Sequence, residues 1–177
     1  MGRRAGRRHA TIGKPPVTPQ SSPANQSPRH YWAIYLTGSN DFISLVGNYI
    51  HHTSGRSPKV GGTTLVHAVN NMWHDNTGHA FDIGSSGSRV VAEGNVFQNV
   101  KTPLLANSGK LFSAPGTSAN TACNAYLKHN CQLNAFGSSG SFAGSDTSFF
   151  SQFNGYTVAG ANAASSNVRY SAGVGKI

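Results

Sequence analysis

Charge is scarce in this chain. Only 11 % of its 177 residues are Asp, Glu, Lys or Arg, against about 25 % in an average soluble domain. Exposed helix faces are built largely from Glu and Lys, so the shortage argues against a helical bundle or coiled coil. Acids are the rarer of the charged residues, at Asp41, Asp75, Asp82, Glu93 and Asp146. The two cysteines, with His129 as the one neighbouring imidazole, do not make a zinc centre. No apolar run approaches the 18 residues of a membrane-spanning helix, and no membrane partner is expected. What the chain does have is 21 glycines among many Ser, Asn and Thr. That composition fits a β-rich, turn-rich protein, and the length permits one sizeable core.

The net charge of +9 is unevenly placed. Residues 1–30 hold Arg3, Arg4, Arg7, Arg8, Lys14 and Arg29 with no acid, while residues 31–177 carry a net +3. Residues 1–29 also hold five of the eight prolines and no aromatic residue. Such a segment buries too little apolar surface to offset its ordering entropy, so it reads as a disordered, basic, proline-rich tail. Paired arginines can bind nucleic acid. The plainer reading is a solvated tail or a mispredicted gene start, and no nucleic-acid partner is assigned. The tail also lacks the apolar core of a secretory leader.

From Tyr31 the pattern changes. Strand-like runs at 31–36, 42–46, 64–69 and 89–93 each end in Gly, Asn or Asp. Asn48-Tyr49-Ile50, Asn71-Met72-Trp73 and Asn95-Val96-Phe97 superpose, the asparagines lying 23 and 24 residues apart. A short strand precedes each Asn, and a polar turn follows each apolar pair. A period near two dozen residues marks a solenoid, and strands without helices between them point to rungs of a parallel β-helix. The recurring Asn would form a ladder, with the apolar pairs stacked inside as core. Trp73, at one of those pair positions, reads as core.

Three regions follow: the tail at 1–29, β-helix rungs at 30–105, and a C-terminal segment at 106–177 packing on the rungs as irregular loops. Cys123 and Cys131 close a short loop that reads as a local disulfide from an oxidising compartment, the other reading being two unconnected thiols.

The chain resembles the C-terminal half of fungal pectin lyases, polysaccharide lyases of the pectate lyase superfamily. The stretches that carry the likeness are His30–Asp41, Ser54–Val60, His67–Asn71, Gly78–Gly84, Ala92–Gln98 and Cys131–Gly137. The resemblance implies a right-handed parallel β-helix, here without its N-terminal rungs, and an extracellular enzyme. It also implies β-elimination on methyl-esterified polygalacturonan (pectin). A base removes the sugar C5 proton, the C4 oxygen leaves, and a 4,5-unsaturated product forms. No cofactor, metal or obligate protein partner is expected.

In the resemblance the base is Arg56, within Ser54-Gly-Arg-Ser-Pro-Lys-Val60. A guanidinium is normally always protonated. Burial under substrate and the neighbouring cation Lys59 would favour its neutral form. A second role is electrostatic, Arg56 or Lys59 stabilising the enolate-like charge on the ester carbonyl. Pectate lyases typically carry R-x-P-x-x-R and use calcium, whereas the second Arg is replaced here by Gly61. Tyr31, Trp32 and Tyr35 match the family's aromatic cleft and are candidates to stack on sugar faces with Lys59 nearby. Strand alternation sends Trp32 to the opposite face from Tyr31 and Tyr35 unless the strand starts after Trp32.

His67, His74 and His79 lie within 13 residues of one another but fall at unlike positions of successive turns, so they are not assigned a metal. Without the N-terminal half of the resembled family, an open rung near Phe42 is expected. The alternative to a lyase is a non-catalytic β-solenoid that at most binds polysaccharide.

Overall fold

A computed structural model describes residues 9–12 and 29–173. The backbone coils through about three turns of a parallel β-solenoid, and every strand pairing is parallel. After β1 (His9–Ile12), the first turn runs through β2 (Tyr35–Leu36), β3 (Phe42–Val46) and β4 (Tyr49–His51). The second has β5 (Lys59–Val60), β6 (Leu65–Val69) and β7 (Met72–His74). The third has β8 (His79–Ile83), β9 (Arg89–Glu93) and β10 (Val96–Gln98). Finally β11 (Thr102–Asn107), β12 (Lys110–Phe112) and the distant β13 (Ala135–Gly137) close the three stacks. The sheets run β2-β5-β8-β11, β1-β3-β6-β9-β12 and β4-β7-β10-β13. The parallel β-helix expected from the repeat is the architecture.

The asparagine ladder forms. Asn71 Oδ1 accepts the Asn48 backbone N–H and side-chain amide, each at 2.9 Å. Its Nδ2 donates to the Leu45 carbonyl at 2.9 Å and to Asn95 Oδ1 at 3.0 Å. Asn95 repeats the scheme with the Ala68 carbonyl at 3.0 Å and Asn134 at 2.9 Å. A buried amide is tolerated when both its donors and its acceptor are used, as here. Beside the ladder, Trp73 and Phe97 stack at 5.0 Å, and Phe97 and Phe136 at 5.3 Å. Trp73 is fully buried, so its reading as core holds.

Alternation along β6 creates two cores. Val66 and Ala68 join the solenoid interior with Trp73, Phe81 and Phe97. Leu65 instead faces a second cluster, in which Phe42, Val91 and Phe112 pack against Leu127, Phe149, Phe150 and Phe153. This outer layer is the C-terminal segment, with short helices α1 (Thr117–Asn120) and α2 (Asn124–Leu127) and a Cys123–Cys131 disulfide.

Within the tail expected at 1–29, residues 9–12 form β1. β1 pairs along β3 from His9 opposite Phe42 to Ile12 opposite Leu45. The physical reason is the open β3 edge, whose unpaired N–H and C=O groups are a template for any extended segment. The expectation for 1–8 and 13–28 lies outside the described residues.

Candidate active site

Arg56 sits in the turn between β4 and β5, at φ 45°. That left-handed conformation costs a non-glycine residue about 1–2 kcal/mol, and the turn is pinned on several sides. The Arg56 carbonyl accepts the Ile34 N–H at 3.0 Å, and the Ser57 N–H donates to the Ala80 carbonyl at 2.9 Å. The buried indole N–H of Trp73 donates to the Ser57 carbonyl. Thr53 and Ser57 hydroxyls meet at 3.2 Å. These contacts join three successive turns of the solenoid to one catalytic candidate.

The Arg56 guanidinium lies over the Trp32 ring, 3.7 Å from its centroid, and 5.1 Å from that of Tyr31. Trp32 and Tyr35 meet edge to face at 5.2 Å, and Tyr31 and Trp32 at 5.7 Å. All three rings are open to solvent, at 42 %, 59 % and 55 % exposure for Tyr31, Trp32 and Tyr35. The question of alternation is answered by where the strand begins: β2 holds only Tyr35 and Leu36, so Trp32 precedes it. Aromatic faces of this size left in water suit a flat ligand with an apolar side.

Lys59 stands on β5 opposite Asp82 on β8. Its Nζ donates to both carboxylate oxygens at 2.9 Å, and Asp82 Oδ2 is also 3.4 Å from Arg56 Nε. Arg56 Nε is buried and not aligned to donate a hydrogen bond. One carboxylate therefore balances two cations, and the group keeps a net positive charge. Gly84 makes room for the pair, since a Cβ there would stand 2.1 Å from Lys59 Nζ.

His79 supports the same site from beneath. Its ring meets Tyr31 edge to face at 5.6 Å, and its Nε2 is buried with no hydrogen-bond partner. Burial chiefly holds the imidazole below its ordinary value of 6.5; nearby Asp82 opposes this, and Arg56 and Lys59 add to it. A Cβ at Gly55 would meet the Tyr31 ring at 2.7 Å and His79 Cε1 at 3.0 Å, so glycine lets the rings close on the Arg56 turn.

A family model described as "Pectate lyase" matches residues 37–177. The chain belongs to the pectate lyase family. Over 152 residues it is 59 % identical to a probable pectin lyase A of Aspergillus clavatus and 58 % identical to a probable pectin lyase D of Emericella nidulans. It is 57 % identical to pectin lyase B of Emericella nidulans. Each match covers 84 % of this chain and 40 % of the relative, so the chain spans well under half the length of these relatives.

Arg56, Lys59, Tyr31, Trp32 and Tyr35 are thus neighbours in this pectate lyase family member. Sequence reading missed Asp82 and His79, and it missed the indole that holds Ser57. The signal for Asp82 was present, because it follows Lys59 by one solenoid period of 23 residues. The three histidines grouped by sequence are dispersed. His67 lies against the C-terminal segment, His74 Nδ1 is 3.1 Å from the Tyr49 hydroxyl, and His79 underlies Tyr31.

Proposed function

We infer that this chain carries the Arg56 side of a pectin lyase site, cleaving methyl-esterified α-1,4-polygalacturonan by β-elimination. The observation that supports it is a guanidinium on an exposed aromatic platform, in a chain 57–59 % identical to proteins named pectin lyases. Removing the C5 proton throws negative charge onto the ester carbonyl oxygen. A cation already fixed in place stabilises that charge with little reorganisation. Arg56, paired with Asp82 and stacked on Trp32, has the contacts of such a cation. These contacts suit the electrostatic role; in the base role the neutral guanidine of Arg56 takes the C5 proton as the C4 oxygen leaves.

Lys59 is engaged by Asp82 through both oxygens, which suits it to orient the carboxylate under Arg56 and to border the bound sugar. Tyr31, Trp32 and Tyr35 offer the faces on which sugar rings would stack. The methylated substrate is uncharged, so the modest positive charge has no polyanion to balance. The Cys123–Cys131 disulfide supports a secreted location.

The test is the full chain on highly methylated pectin, followed by the ultraviolet absorbance of the unsaturated product. Arg56→Ala is expected to lower the rate by about 100-fold or more. Pectin binding without product from the unmutated chain would instead favour the non-catalytic solenoid.

A further inference from the structure

We propose that His67, Glu93 and His129 form a binding site for one zinc-type divalent ion, which ties the C-terminal segment to the solenoid. The three side chains come from β6, the end of β9 and the loop closed by the disulfide. His67 Nε2 is 2.7 Å and His129 Nε2 2.9 Å from the same Glu93 Oε1. One ligand atom from each lies within 4.8 Å of the others, and no other such trio occurs among the described residues. Two imidazoles and a carboxylate are a donor set that zinc accepts, leaving a fourth position for water.

The surroundings orient two of the three ligands, His129 and Glu93. His129 Nδ1 lies 3.1 Å from the Leu127 carbonyl, which turns Nε2 toward Glu93. Glu93 Oε2 accepts the Gln132 N–H at 3.0 Å, leaving Oε1 for the cluster.

His67 Nδ1 is buried with no hydrogen-bond partner. An ion on Nε2 leaves that nitrogen as it is, so the case for the site rests on the convergence of the two Nε2 atoms on Glu93 Oε1. The present spacings are those of shared protons. Ligands on a tetrahedral ion with bonds of about 2.0–2.1 Å stand about 3.3 Å apart, so the rings must retreat by roughly half an ångström. His67 and Glu93 are fully buried, whereas His129 keeps an open flank along which an ion can enter and the loop can give. Protons between the nitrogens and Oε1 leave as the ion arrives.

The experiment strips the full chain with a chelator and titrates it with zinc chloride by calorimetry and with cobalt chloride by visible absorption. We expect one zinc per chain, a four-coordinate cobalt spectrum and a raised melting temperature. Glu93→Gln and His129→Asn each weaken zinc binding by about tenfold or more, while His52→Asn in the exposed His51–His52 pair leaves it unchanged. Because Glu93 is buried, far-ultraviolet circular dichroism accompanies each variant. His129→Asn, on the open flank, is the decisive one. No binding by the folded chain, or stoichiometric binding that survives His129→Asn, overturns the site.

Discussion

Lys59 Nζ lies 2.9 Å from each oxygen of Asp82, although the two residues are 23 positions apart. The solenoid period makes them neighbours: they occupy paired positions of β5 and β8. Because Arg56 Nε also approaches Asp82, a single acid sets the charge of the whole candidate site.

Asp82→Asn is therefore expected to destabilise the fold by about 1–3 kcal/mol, the cost of leaving partly buried cations without their acceptor. Urea denaturation of Asp82→Asn, Lys59→Met and the double variant measures the coupling. The double variant should be more stable than the sum of the singles implies. Strict additivity would mean that the 2.9 Å contacts contribute nothing.

Trp32→Ala should separate recognition from folding. Trp32 is exposed, so its loss should cost about 0.5–1 kcal/mol at most, the size of an exposed cation–π contact. Binding of methylated oligogalacturonides should weaken about five- to tenfold, as for one lost stacking contact. Fluorescence-detected titration beside thermal melts tests both halves. A large fall in melting temperature with unchanged affinity would make Trp32 a packing residue.

The ladder makes a graded prediction. Asn71→Ala removes the acceptor of the Asn48 backbone N–H and side-chain amide and the side-chain donor to the Leu45 carbonyl, while Asn95 Oδ1 keeps the residue-71 backbone N–H. Destabilisation of about 3 kcal/mol or more follows. Asn134→Ala, at the partly buried end of the ladder, should cost about 1–2 kcal/mol. Equal effects at the two positions would show that the ladder is not read in order along its length.

The repeat makes much of this legible in the sequence. β3 and β9 lie where the runs at 42–46 and 89–93 put them, and Asn48, Asn71 and Asn95 stack as their spacing requires. Asn134 was harder, since 39 residues separate it from Asn95. Its signal was the Asn-Ala-Phe triplet at 134–136, which repeats the Asn-apolar-apolar rung. Nothing in the sequence announced that His129 meets Glu93, because the C-terminal segment is irregular and its docking depends on the outer apolar layer. Likewise β1 depends on an edge that only the folded solenoid offers.

His79 gives the fold a pH dependence whose sign is fixed by its environment. Burial is the main cause holding its folded-state value below the ordinary 6.5, with Arg56 and Lys59 adding to it and Asp82 opposing. Once the pH falls through about 6.5, the unfolded chain binds a proton at His79 that the folded chain still refuses, so stability declines. The decline ends only when the folded form is protonated too, and above about 6.5 His79 contributes no slope. His79→Phe keeps a ring under Tyr31 without the titrating group. Melting temperatures of both proteins, from about pH 7.5 down to about pH 5, should show the unmutated chain losing more stability below 6.5 than the variant. Other groups, His51 among them, titrate in both proteins and cancel in the difference. Parallel profiles would place the His79 ring in a more polar setting than its contacts with Tyr31 and Gly55 describe.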